Sequence, residues 1–171
     1  MKIRLTRFNI YLLVVLVGVA TACKTTEERK QSKEASTLRV FLARNSDHGS
    51  GISVYRAAPV RFNVEHEPLL TETDLESAAV IDQPGGFAIQ AQFNGHGALV
   101  LEGATVAHKS EHLAIQSFFG QTRWLAAPVI NRRISNGELI FTPDANREEA
   151  DRIVRGLTNV VAKIKKQSSG F

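Results

Sequence analysis

Residues 146–164 constrain the fold most. Asn146 followed three residues on by Glu149 makes an N-x-x-E cap. Behind it Ala150, Ile153, Val154, Leu157, Val160, Val161 and Ile164 recur at helical spacing. An apolar stripe of that length needs a packed surface to cover it. Lys163, Lys165 and Lys166 follow at the end where the helix dipole favours cations. The rest of the chain must supply the covering surface, and it reads mainly as strands. "LRVFLARN" (38–45) alternates and is rich in β formers. "ISVYRAAPVRFNVEHE" (52–67) reads as one or two further strands, broken near Ala57-Ala58-Pro59. "FAIQAQFN" (87–94) alternates strictly, with Phe87, Ile89, Ala91 and Phe93 on one face. "LAIQSFFG" (113–120) and "RWLAAPVI" (123–130) flank a hairpin at "GQT". An Asn136-Gly137 turn precedes the strand in "ISNGELIFT" (134–142).

Two shorter helices are expected between these strands. Thr73 with Glu76 forms a capping box in "PLLTETDLESAAVID", and Leu75 and Ala78-Ala79 follow before "QPGG" ends the segment. Asn94 precedes a second stripe of Ala98, Leu101, Ala104 and Thr105, continued by His108. Gly103 weakens that helix by about 1 kcal/mol against alanine. Tight turns between strands, with few long helices, predict an α+β fold: an antiparallel sheet with helices on one face. Phe93 and Trp124 are expected to pack between sheet and helices.

The N-terminus reads as a targeting segment. Lys2, Arg4 and Arg7 precede "IYLLVVLVGVATA", which is shorter than the roughly 20 apolar residues that span a bilayer. Small residues then meet the single cysteine of the chain in "ATAC" (20–23). This resembles the lipobox of bacterial lipoproteins, with Ala20 in place of the usual leucine. The resemblance implies a signal peptide over residues 1–22, a diacylglycerol on the Cys23 thiol and a fatty acid such as palmitate on its new amine. The alternatives are an uncleaved N-terminal anchor, or cleavage near Ala22 that leaves a free thiol. Cleavage would also change the charge. The full chain carries 21 basic and 17 acidic side chains, and residues 1–22 hold three of the bases and no acid. The mature chain is then 18 against 17, close to neutral, which argues against a nucleic-acid partner. One cysteine excludes an intrachain disulfide. "KTTEERKQSKEAST" (24–37) reads as a solvated tether. The expected organisation is a signal peptide over 1–22, lipidated Cys23 and tether over 23–37, a domain over 38–165, and a basic, polar tail over 166–171.

Four stretches together resemble the head of the large periplasmic domain of SecD, a subunit of the bacterial protein-export machinery. They are "EPLLTETDLESAAV" (67–80), "GALVLEGAT" (97–105), "LAIQ…AAPVINRRISNG" (113–137) and "NREEADRIVRGL" (146–157). They resemble, in order, the family's Pro-Leu-Thr-x-x-Asp-Leu-x-x-Ala segment, its Gly-Ala-x-x-Phe-x-x-x-Thr helix, its Leu-Ala-Ile and Ala-Pro-Val-Ile-Asn-x-x-Ile-Ser-x-Gly stretches, and its closing Thr-x-Glu-Glu-Ala helix. Leu101 stands in the place of the phenylalanine and Asn146 in the place of the capping threonine. The resemblance covers just over half the chain. It implies a ferredoxin-like head that holds unfolded preprotein outside the membrane, with no cofactor and no catalysed step. SecD also has several transmembrane helices whose carboxylates couple to protons. This sequence shows no comparable segments, so a proton cycle is not expected of it.

His108-Lys109-Ser110-Glu111-His112 spells H-x-x-E-H, the inverted zinc-peptidase pattern, which needs both histidines on one helical face and a third ligand. The alignment with the SecD head puts a helix end and a strand entry inside these five residues, so no metal site is expected. Asp47-His48 with Ser46 or Ser50 has triad residue types but reads as a polar loop. Phe118, Phe119 and Trp124 cluster around the "GQT" hairpin and are candidates for gripping apolar segments of a polypeptide, as is the edge of the "LRVFLARN" strand. The expected protein is thus a non-enzymatic lipoprotein of the envelope, facing the periplasm from the outer membrane. Its expected partner is unfolded or translocating polypeptide, or a protein of the export machinery. The alternatives are an assembly lipoprotein with a fixed envelope partner and a zinc peptidase.

The lipid is directly testable. Mass spectrometry of the mature protein should find residue 23 as an acylated N-terminal cysteine, and Cys23→Ala should abolish that adduct. A free thiol at residue 23 would refute the assignment.

Overall fold

A computed structural model describes residues 26–44, 52–54 and 60–170. The chain forms two compact units, Met1–Ser32 and Lys33–Phe171. In the first, the described element is a single short helix, α1 (Thr26–Gln31), closed by Ser32, whose hydroxyl donates to the Arg29 carbonyl at 3.0 Å.

The second unit has the α+β character expected from the sequence, with antiparallel pairing throughout. Its strands are β1 (Thr37–Arg44), β2 (Ile52–Val54), β3 (Val60–Val64), β4 (Leu75–Gln83), β5 (Gly86–Phe93), β6 (Leu113–Phe119), β7 (Gln121–Ala126) and β8 (Glu138–Phe141). Its helices are α2 (Gly95–Ala107) and α3 (Arg147–Ser168). The strands divide into two sheets, β2-β3-β1-β6-β7 and β4-β5-β8. The β1–β6 pair forms the middle of the larger one, with Val40 opposite Ile115 and Leu42 opposite Leu113.

The segment expected to be a helix from its capping box is instead strand β4. The local turn does form: Thr71 N donates to Asp74 Oδ2 at 3.0 Å, and Asp74 N to Thr71 O at 3.1 Å. The chain then runs extended from Leu75, because "LESAAVIDQ" pairs with "GFAIQAQF" from Leu75↔Phe93 to Gln83↔Gly86. Pro84-Gly85 closes that hairpin. Gly85 has φ 87°, the positive value that the third position of a type II turn requires after proline. Cross-strand pairing and a well-formed turn outweigh the weak helical preference of a nine-residue segment.

The long helix fulfils its pattern. Asn146 caps it, its side-chain oxygen accepting from Glu149 N at 2.8 Å. Ala150, Ile153, Gly156, Leu157 and Val161 are buried. They pack on β4, with further contacts to β1 and β5, so α3 touches both sheets. Fully buried Leu38, Leu70, Ile89, Leu101, Leu113, Ile115 and Leu125 complete the core. Phe93 is buried, as expected. Trp124 is half-buried and meets Phe41 edge-on, with centroids 5.5 Å apart at 69°. At the start of α3, Arg147 pairs with Asp82, and the guanidinium holds that exposed carboxyl below its ordinary range.

α3 also fastens the chain that enters β1. Glu34 accepts from Arg152 Nε at 3.1 Å and from Arg155 at 3.3 Å, while its backbone carbonyl accepts from Asn159 Nδ2 at 3.0 Å. Ser36 is buried, its hydroxyl 3.1 Å from that of Ser117. Gly156 makes this approach possible. A Cβ there would lie 2.8 Å from Ser36 N and 2.9 Å from Ser36 Cβ.

Gly156→Ala should therefore destabilise the protein by about 1–3 kcal/mol through overpacking. An unconstrained helix position would gain about 1 kcal/mol from the same change. Urea unfolding of the two proteins decides the sign, and a more stable alanine variant would contradict the close approach.

Candidate functional site

The sequence-derived candidates can be placed one by one. Cys23 lies outside the described residues, as do Asp47-His48 and its neighbouring serines. Phe118, Phe119 and Trp124 do not form one exposed patch. Phe118 is 48% exposed at the end of β6. Phe119 points to the opposite side, as alternation along a strand requires, and packs partly into the core with the Arg152 guanidinium 4.9 Å over its ring. Trp124 is held by Phe41.

The first strand does not provide an edge. β1 has β6 on one flank and β3 on the other. Where β3 stops, the 65–70 segment takes over: Val40 N donates to Leu70 O at 2.9 Å, and Leu69 N to Val40 O at 2.7 Å. The candidate of a peptide added alongside "LRVFLARN" is therefore corrected. β1 is interior because β6 pairs with one flank while β3 and the 65–70 segment pair with the other.

The histidine pair is split as the sequence suggested. α2 ends at Ala107, and His108 caps it with φ −117° and ψ 42°. Ser110 turns the chain with φ 72°, and His112 already bridges to Val129. His108 Nδ1 lies 3.1 Å from Glu111 Oε2, while His112 Nδ1 lies 3.0 Å from the Ala127 carbonyl. The helical i,i+4 geometry that would aim both rings at one ion is not formed, and the described residues contain no group of three metal-ligating side chains.

Free backbone does occur at β8, the edge of the smaller sheet. Phe93 N donates to Gly137 O at 2.9 Å, and the register continues as Ala91↔Leu139 and Ile89↔Phe141. By the alternation of an antiparallel ladder, Gly137, Leu139 and Phe141 face β5, whereas Glu138 and Ile140 turn their backbone groups outward. Asn136 Oδ1 takes the Glu138 N–H at 3.1 Å. No protein group among the described residues takes up the N–H or C=O of Ile140. Ile140 also lines a cleft of about 410 Å³, together with Gln83, Ala126, Pro128, Phe141 and Thr142. A second cleft of about 170 Å³ continues along Val129, Ile130, Leu139 and Ile140. Val129 is 41% exposed on this rim.

The cleft is held from both sides. Leu113 N donates to Pro128 O at 2.9 Å, and Ile130 N donates to Glu111 O at 2.8 Å, fixing the wall that follows β7. Ile134 N donates to Thr105 Oγ1 at 3.0 Å, tying the return of that wall to α2. The arrangement offers backbone donors and acceptors beside apolar surface, the means by which an extended chain is bound along a sheet edge. Sequence reading missed it because "ELIF" reads as a strand without revealing which neighbour it lacks. A second apolar feature lies on α2, where Leu99 is 71% and Val106 58% exposed, seven residues apart on one helical face.

No family model and no curated protein matches the chain. Solved structures do, and they define the class: this is an α+β domain with a SecD-like fold. A structure of SecDF, described as a membrane component that enhances protein export, aligns with a TM-score of 0.59 and 20% identity, covering 81% of this chain and 70% of that one. SecDF in its super-membrane-facing form aligns at 0.59 with 19% identity, over 79% of this chain and 21% of that one. This chain thus spans about a fifth of the latter protein. No helix among the described residues is long and apolar enough to cross a membrane.

Zinc titration of the purified chain should give no one-to-one complex. A single tight site abolished by His108→Ala would show that the two histidines converge after all.

Proposed function

We propose that this chain is a lipid-anchored envelope protein whose SecD-head-like domain binds extended, unfolded polypeptide without catalysing a reaction. The unsatisfied edge of β8 beside its apolar cleft carries this reading. The Ile140 N–H and C=O form a short ladder that any backbone can complete, and Pro128, Val129 and Ile140 add contacts that ask little of sequence. Exposed Phe118 is a second, separate apolar contact. The fold likeness to a protein that enhances export supports the same role. Anchoring through Cys23, in the outer membrane and facing the periplasm, would hold the domain in the compartment that exported, unfolded chains enter. A near-neutral mature chain makes long-range electrostatic capture weak, so binding is expected to be loose, promiscuous and only mildly sensitive to salt.

One observation favours a second reading, an assembly lipoprotein with a fixed envelope partner. Leu99 and Val106 expose a pair of large apolar side chains on α2, and a stable partner would cover them.

The two are separated by titrating the mature chain with a permanently unfolded, reduced protein and with its folded form. The first reading expects binding to the unfolded form alone. Ile140→Pro removes the outward donor while sparing the ladder to β5, and Ile140→Lys blunts the edge with a charge. Either variant, still folded, should bind about tenfold more weakly, the equivalent of one or two hydrogen bonds. Binding unchanged in both variants would remove the β8 edge from the proposal. No binding to any unfolded chain, with one stoichiometric partner lost in Leu99→Ser/Val106→Ser, would favour the assembly protein.

A further inference from the structure

From Arg152 to Ser168, α3 carries five basic side chains and no acid. Four of the five lie on one face. Arg152, Arg155, Asn159, Lys163 and Lys166 follow one another at spacings of three and four, which stacks them along a single stripe. Lys165 points elsewhere, its ammonium 3.4 Å from the Glu76 carbonyl. The N-terminal half of the stripe is occupied, because Glu34 lies across Arg152, Arg155 and Asn159. The C-terminal half is open. Lys163 and Lys166 are exposed, and no carboxylate among the described residues pairs with either. The stripe is thus neutralised where the incoming chain crosses it and positive beyond.

The chain that crosses it is the tether. Glu34 comes eleven residues after Cys23, a span of at most about 40 Å even when fully extended. A lipid on Cys23 therefore confines the stripe to the neighbourhood of the bilayer surface, where local concentration replaces affinity. The diacylglycerol and fatty acid on Cys23 anchor the chain by themselves, so a basic patch would serve to orient the domain, each lysine near an anionic surface adding to the attraction.

We infer that the Lys163–Lys166 end of α3 lies against anionic phospholipid headgroups, orienting the anchored domain on the membrane. The inference rests on the lipid-anchored reading above. The partner is a phospholipid surface because the lipid-anchored reading keeps the open, positive end of the stripe within about one tether length, roughly 40 Å, of the bilayer. Among the described residues no carboxylate pairs with these lysines, and they need no partner of defined shape.

The test reads lysine accessibility in the mature lipoprotein reconstituted into vesicles. Amines are labelled with a water-soluble acylating reagent, and the sites are quantified by mass spectrometry. Lys109 at the far end of α2 and Lys165 on the other face of α3 serve as internal references. In vesicles with about one-third phosphatidylglycerol, Lys163 and Lys166 should react about fivefold more slowly, relative to the references, than in pure phosphatidylcholine. Half-molar salt should remove the difference, since it shortens the screening length well below its physiological value of about 8 Å. Equal relative rates in the two vesicle types would overturn the inference. So would protection found only in native membranes and not in protein-free vesicles, which would assign the stripe to an acidic protein. Flotation with neutral vesicles reports the anchor independently: a chain that fails to float refutes the lipid, while the labelling ratio still decides the stripe.

Discussion

The burial of Ile153 and Leu157 against β4, β1 and β5 is the contact on which the rest depends. The described residues form two antiparallel sheets, and neither closes a core by itself. α3 lies on strands of both, and its fully buried side chains share one cluster with Val40 and Ile115 of the larger sheet and Ile89 and Phe141 of the smaller. An intrachain disulfide is not available to this chain, so the joint rests on dispersion and apolar burial. A helix of 22 residues with a continuous apolar stripe suits that task, and its Asn146 cap sets where the stripe begins.

Placing α3 in this way has consequences at both ends of the domain. Its polar face receives Glu34, so the chain entering β1 is anchored before the first strand begins, and Gly156 provides the clearance. Arg152 serves twice, pairing with Glu34 and covering the ring of Phe119. That second contact explains why the hairpin aromatics do not act together: one is capped by α3, one is held by Phe41, and Phe118 is the most exposed of the three. The division into two sheets also creates the free edge at β8.

The unsatisfied Ile140 groups are therefore a by-product of architecture that function can exploit. A buried backbone donor left unpaired costs free energy, but at an open cleft water can satisfy it, and in the proposed function a peptide would take the place of that water. Such an edge is short enough to resist uncontrolled pairing between copies, since β8 has four residues. The comparison with SecDF places this geometry on a fold found in a protein-export component, while the identity of about one residue in five leaves the surfaces free to differ.

Local chemistry determined much of this protein in advance. The capped amphipathic α3, the strict alternation of "FAIQAQF" and the turn at Asn136-Gly137 were legible because each depends on residues near one another in sequence, whereas the break within His108–His112 was implied by the resemblance to the SecD head. The four SecD-like stretches pointed to the fold for the same reason. Tertiary structure decided the rest. The capping box at Thr73 lost to hairpin pairing with β5, a contact whose benefit no window around Thr73 contains. Strand order made β1 interior and β8 an edge, and sequence alone does not encode which neighbour a strand lacks. The basic stripe of α3 was visible as lysines and arginines at helical spacing. Only folding showed that Glu34 covers its first half and leaves Lys163 and Lys166 open, because that pairing joins residues more than a hundred positions apart.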